Sequence, residues 1–178
     1  MKELVIVWIE SYGLALKIAN LFANKGGELL DCSIIGTWSQ VLVRTDNVID
    51  AENIFLEISE KIPFKKKILK DIDPIIIDAY LSLSGEKIKD FIFVVESEFL
   101  GDSLEFSQKM IKEELAIVDF RLLRFQTPKT ITVFTGNQNQ LDKALLISQN
   151  YLAQMESKMS MTVIREVNSH IKNLFHLD

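Results

Sequence analysis

The chain has 178 residues, of which 48% are hydrophobic and 25% charged, and its formal net charge is −5 at pH 7. This is the balance of a globular protein, and the acidic total argues against a nucleic-acid-binding protein, which usually has a basic face. No signal peptide or membrane-length apolar run is visible, and the single cysteine, Cys32, cannot form an internal disulfide, so we expect a cytoplasmic protein.

The first half of the chain alternates predicted strands and helices. An apolar run at residues 3–9 predicts a strand covered on both faces. Helical spacing predicts a helix at 14–24, which ends at Gly26. Two strands follow, joined by a predicted turn at Gly36–Ser39. The remaining predicted elements are a helix from Asp46 or Asn47 to Pro63, a strand at 67–72 and a short helix from Pro74 to Leu83.

The second half repeats this order at an offset that drifts from 86 to 90 residues. Predicted strands lie at 90–96, 116–125, 129–135 and 161–165, and predicted helices at 102–114, 138–155 and 168–175. Asp102 or Ser103 is expected to cap the first of these helices. Each half reads β-α-β-β-α-β, the order of the ferredoxin-like group. We therefore predict an α+β fold with two tandem domains, 1–85 and 86–178, each an antiparallel sheet with helices on one face.

The residues offer no paired catalytic set. No Gly-rich phosphate loop occurs, and His170 and His176 lack a cysteine or carboxylate at metal-ligand spacing. Glu10 and Glu96 end the first strand of each copy, and this repeated placing favours a structural role at the next helix start over acid–base catalysis. Cys32 is interpreted as a small buried hydrophobe. We predict no enzyme activity, no cofactor and no metal.

Two features that could bind a ligand also have a purely structural interpretation. The run Lys65-Lys66-Lys67 could bind an anion, but a solvated strand edge explains it at least as well, and we favour the edge. Trp38 lies in the predicted turn, where an indole more often fills a local gap than binds a ligand.

Several segments resemble the shell domain of bacterial microcompartments (BMC). The strand ending in Ile9-Glu10-Ser11-x-Gly13 is similar to the opening of that domain, and Val41-x-Val43-Arg44-Thr45-Asp46 is similar to its Val-x-Val-Arg-Gly-Asp segment. In the second copy, Met110-Ile111-Lys112 matches a Met-x-Lys segment whose lysine lies at the edge between tiles. The segment from Leu69 to Tyr80 is similar to the junction of tandem shell proteins, so the resemblance covers nearly the whole chain.

The resemblance implies a homotrimer that imitates a hexamer, with six domains around a central pore for small metabolites. It places Lys112 at the tile edge, although Ala23 stands at the matching place in the first copy. Some tandem members hold an iron–sulfur cluster at a pore cysteine, and none is expected here because Gly36 occupies that place. The expected partners are other shell proteins, without nucleic acid or membrane. The implied pore-lining residues are Gly36, Thr37, Trp38, Ser39, Phe125, Gln126, Thr127 and Pro128.

Two other functions stay open from the sequence. A tandem ferredoxin-like regulatory module could bind a small ligand between its copies, and an enzyme ranks third. A stable trimer would favour the shell tile, whereas a monomer or dimer would favour the regulatory module.

Overall fold

The computed structural model describes residues 3–46, 52–56, 63–82, 85–124, 129–154 and 158–174. The chain divides into two compact units, Met1–Ile72 with Arg124–Pro128, and Asp73–Leu123 with Lys129–Asp178. Each unit holds one four-stranded antiparallel sheet with helices packed on it. The predicted α+β class with two tandem domains is confirmed.

The first unit has strand order β2-β3-β1-β4, as the ferredoxin-like prediction requires. Its central strand β1 is apolar, and every residue of Leu4–Ile9 is at most 1% exposed. Such a strand must be covered on both faces. The elements are β1 Glu3–Ile9, α1 Tyr12–Asn24, β2 Glu28–Ile35, β3 Trp38–Thr45, a helical stretch α2 at residues 52–56, and β4 Phe64–Leu69.

Helix α1 covers one face of the first sheet. It begins at Tyr12 because the Ser11 hydroxyl accepts a hydrogen bond from the backbone N–H of Leu14 at 3.3 Å. Glu10 is exposed, so the serine and not the glutamate caps this helix. Ile18 and Phe22 pack into the apolar cluster formed by alternate residues of β1 and β3. Each fully buried side chain of this size contributes about 1.5–3 kcal/mol.

The second unit repeats the strand order as β6-β7-β5-β8. Its core is aromatic, and the rings of Phe93, Phe106 and Phe134 lie 6.2–6.3 Å apart. The Tyr80 ring meets Phe120 at 5.7 Å, so α3 packs on β6 within this unit. The elements are α3 Pro74–Tyr80, β5 Ile92–Ser97, α4 Leu100–Lys112, β6 Ala116–Leu123, β7 Lys129–Thr135, α5 Gln138–Leu152, β8 Met159–Ile164 and α6 Ser169–Leu174.

The strand registers define which residues of the two units correspond. Leu42 pairs with both Ile6 and Asp31, and Val133 pairs with both Val94 and Asp119. Ile6 and Asp31 therefore correspond to residues that lie 88 positions later. By the same register Trp8 corresponds to Glu96, so the expected equivalence of Glu10 and Glu96 is wrong by two positions.

Several element boundaries also differ from the prediction, and the strand predicted at 67–72 is observed at Phe64–Leu69. Helix α4 begins at Leu100, and Asp102 and Ser103 lie buried in its first turn instead of capping it. Phe99 directly precedes the helix, and its N–H donates to the Ser97 hydroxyl at 3.2 Å. Strand β3 begins at Trp38, so the predicted four-residue turn shrinks to Gly36 and Thr37.

Candidate functional site

The predicted pore-lining residues of the first unit lie at the β2–β3 hairpin. Gly36 adopts φ 62°, a conformation that glycine tolerates well, and its N–H donates to the carbonyl of Arg124 at 2.8 Å. Thr37 is exposed and Trp38 is half-buried, whereas Ser39 is only 4% exposed. Thr37 and Trp38 are therefore the hairpin residues whose side chains reach the surface.

The four pore-lining residues predicted from the second sequence copy cannot be placed in the same way. Phe125, Gln126, Thr127 and Pro128 lie outside the described residues. Arg124, which directly precedes them, lies in the first unit and contacts the hairpin through its carbonyl.

A row of polar contacts crosses the first sheet beside the hairpin. The Trp8 indole N–H donates to Oε1 of Gln40 at 2.8 Å, and Nε2 of Gln40 donates to Oδ2 of Asp31 at 2.8 Å. Asp31 also accepts from the Ser33 hydroxyl at 3.1 Å and from the Arg124 guanidinium at 3.3 Å. Gln40 is fully buried, so these bonds supply the partners that a buried amide requires.

Lys65 lies at the other end of this row. It pairs with Trp8 across the β1–β4 ladder, and its ammonium nitrogen lies 5.8 Å from the centroid of the Trp38 ring. This is within the distance at which a cation is attracted to the face of an indole. The hairpin end of the first unit thus combines an exposed cation with a half-buried aromatic ring.

The corresponding place in the second unit holds an ion pair. The Glu96 carboxylate accepts from the Lys129 ammonium at 2.9 Å and from the Ser160 hydroxyl at 3.0 Å. The hydrogen bond from Lys129, followed by that from Ser160, lowers the pKa of Glu96 below its ordinary value. The corresponding pairs of the two units are Trp8 and Glu96, Trp38 and Lys129, and Lys65 and Ser160.

Lys112, the predicted tile-edge residue, is the last residue of α4 and is exposed. Its counterpart in the first unit is Asn24, the last residue of α1, because the C-caps Lys25 and Glu113 correspond. The expected correspondence with Ala23 is therefore wrong by one position.

Among the described residues, the other titratable groups considered from the sequence do not assemble into a site, and His176 lies outside those residues. Cys32 is partly buried, and burial followed by the charge of Asp31 raises the pKa of its thiol. A raised pKa leaves the thiol protonated and unreactive at neutral pH. His170 is exposed on α6. In the described ranges, no group of three or more His, Cys, Asp or Glu side chains could hold a metal ion.

Sequence reasoning missed the polar row and the Glu96–Lys129 pair. The available signal was Gln40, a polar residue between the apolar part of β3 and the hairpin, since a buried amide needs partners nearby. Nothing in the order of residues indicated that Arg124 would be one end of the row.

None of the described helices is long and apolar enough to span a bilayer.

The two units together define a tandem α+β protein with ferredoxin-like strand order. A solved structure of a microcompartments protein from Desulfitobacterium hafniense DCB shares this fold, with a TM-score of 0.83 and 13% identity over 97% of this chain and 99% of that one. A putative glycine cleavage system transcriptional repressor covers 93% of this chain at 12% identity, but its TM-score of 0.37 is too low to indicate a common fold. The sequence matches no protein-family model and no curated protein.

Proposed function

We propose that the chain is a structural shell protein of a bacterial microcompartment. The observation that carries the proposal is the pair of successive units with one strand order, aligned over 97% of the chain with a microcompartments protein at a TM-score of 0.83. Three chains would supply six such units, enough to close a ring by head-to-tail contacts. The proposed assembly is a cytoplasmic homotrimeric tile that contacts other shell proteins and has no catalytic role.

The first unit would line the central pore of this ring with its β2–β3 hairpin. Thr37 and Trp38 would supply the side chains, with Gly36 and Ser39 setting the shape of the turn. The corresponding turn of the second sequence copy would contribute Phe125, Gln126, Thr127 and Pro128. The hydrogen bond from Gly36 to the Arg124 carbonyl supports this pairing of segments, because Arg124 leads directly into the second set.

Exposed apolar side chains on an edge strand support assembly. On β2, Leu29 is 46% exposed and Ile34 is 57% exposed, and β2 pairs only with β3 within the described residues. An edge strand with large apolar side chains is usually covered in a stable protein. A neighbouring chain in the ring would provide that cover. Lys112 would lie at the outer rim, where tiles meet.

The mass of the particle in solution tests the proposal. Light scattering should give three times the chain mass of 20.4 kDa at micromolar concentration, because a tile must bury a large interface to persist. Negative-stain electron microscopy should then show hexagonal particles with a central depression. A monomer or dimer would reject the tile and favour the regulatory module that binds a small ligand between its copies.

A further inference from the structure

We propose that Trp38 and Lys65 form a recognition element for small anions at the hairpin end of the first unit. Its place at a pore rests on the proposed function, and there it would select anionic metabolites. Its chemistry depends only on contacts within the first unit, so the two proposals can fail separately.

The Lys65 ammonium is oriented toward a ring instead of a carboxylate. It lies 5.8 Å from the Trp38 centroid, and among the described residues no carboxylate comes within ion-pair distance of it. The neighbouring Lys66 differs, since its ammonium pairs with Glu52 at 2.7 Å and lies over the Phe55 ring. Of these two adjacent lysines, Lys65 is the one whose charge is left available to a ligand.

The indole beside Lys65 offers a hydrogen-bond donor. The Trp38 N–H has no partner within the described part of the chain, whereas the Trp8 N–H is taken by Gln40. Trp38 is half-buried, and its N–H can donate to an anion while the ring face attracts the Lys65 ammonium. The exposed Thr37 hydroxyl lies one residue away and can add a further donor.

The other cation beside the hairpin is neutralised, because Arg124 pairs with Asp31 at 3.3 Å. Lys65 is therefore the cation of these three groups that no carboxylate neutralises, in a chain of net charge −5. A cation without a carboxylate partner attracts anions to its own neighbourhood. The interpretation of the lysine run as a solvated strand edge therefore fits Lys66, whereas Lys65 would bind the anion.

Tryptophan fluorescence tests the element directly. The chain contains two tryptophans, and Trp8 is 1% exposed, so Trp38 supplies the emission that a dissolved quencher can reach. We would measure quenching by iodide, caesium and neutral acrylamide at one ionic strength of about 0.1 M, where charges still act over about 10 Å. Subtracting the signal of a Trp38→Phe variant removes the contribution of Trp8.

Acrylamide is neutral, so its quenching constant corrects the other two constants for the accessibility of the indole. After this correction, the iodide constant of wild-type Trp38 should exceed the caesium constant. Lys65→Met should lower the iodide quenching constant about twofold, the factor that one unit charge gives at about 6 Å in water once screening at this ionic strength is included. Lys66→Met is the matched control, and it should leave the iodide constant unchanged. An unchanged constant in Lys65→Met, or an equal fall in both variants, overturns the proposal.

Light scattering on the same samples separates the two proposals. A trimer without the iodide preference rejects the anion element and keeps the shell tile. A monomer with the preference keeps the anion element and rejects the tile, and with it the place of the element at a pore.

Discussion

Trp38 and Lys129 are the first residues of corresponding strands, and the two units use them in opposite ways. In the first unit the indole lies beside the ammonium group of Lys65. In the second unit the lysine itself supplies the ammonium group, which pairs with Glu96. Glu96 in turn occupies the place of the buried Trp8. The two units thus have the same strand order. At the same end of the sheet, the first unit has aromatic contacts and the second has an ion pair.

The two tryptophans should differ sharply in their contribution to stability. Trp8→Ala should lower the free energy of unfolding by about 3–5 kcal/mol, because it empties a fully buried site. It also removes the indole N–H that donates to Oε1 of the buried Gln40. Trp38→Ala should cost only about 1 kcal/mol, since the ring is half-buried and loses mainly a cation–π contact. Urea denaturation followed by circular dichroism measures both values.

This comparison also bears on the pore. If Trp38 lines a pore, Trp38→Ala leaves the melting temperature nearly unchanged and raises the permeability of assembled shells. A loss as large as that of Trp8→Ala would mean that Trp38 is a packing residue and would remove it from the pore.

Thr132 offers a stabilising substitution. Its side chain is 1% exposed, and Oγ1 has no hydrogen-bond partner among the described residues. The corresponding residue of the first unit is Val41, which has nearly the same shape. Thr132→Val should therefore raise the free energy of unfolding by about 1–2 kcal/mol, because it removes an unsatisfied buried hydroxyl.

Thr130 is the matched control for this substitution. It is also buried on β7, but its hydroxyl donates to the carbonyl of Ser97 at 3.1 Å and contacts the Ser103 hydroxyl. Thr130→Val should destabilise the protein, because it leaves those groups without their partner. Equal effects of the two variants in urea denaturation would contradict this account.

Much of the fold follows from the sequence because the repeat is carried by apolar periodicity. The central strand at Leu4–Ile9 is apolar at every position, and a short run of this kind predicts a buried strand. The sequence was less able to predict which residues of the two copies correspond, because the pair Glu-Ser occurs at the end of the first strand in each copy. The register nevertheless aligns Glu96 with Trp8 and not with Glu10. A two-residue shift keeps the same face of a strand, so alternation alone could not reveal it.

The candidate site was less predictable for a different reason. Gly36 and Trp38 stand out in the sequence, but their contacts come from Arg124 and Lys65, which are distant along the chain. Such pairings depend on strand order and side-chain direction. Neither is encoded in the local spacing of residues.

Glu96 should make stability depend on pH in the acidic range. Its pKa is lowered in the folded protein by the bonds from Lys129 and Ser160. The resulting stabilisation is present above the unfolded-state pKa near 4.5 and is lost as the pH falls through the lower folded-state value. Wild-type protein should therefore lose more stability on acidification below about pH 4.5 than Glu96→Gln does. Parallel profiles for wild type and Glu96→Gln would disprove the assignment.

Lys112 gives the prediction that separates ring formation from tiling. It ends α4 on an exposed turn, and the described residues show no ion pair for it. If it lies at the rim of the proposed ring, Lys112→Glu should place like charges against one another wherever two tiles meet by symmetry. The trimer should then keep its mass in light scattering, while extended sheets in electron micrographs become smaller or disappear. Asn24→Glu is the matched control at the corresponding residue of the first unit, which carries no lysine, and its effect on sheets should be weaker. If Lys112→Glu dissolves the trimer itself, this lysine belongs to the contact between chains within the ring, and the tile-edge role is wrong.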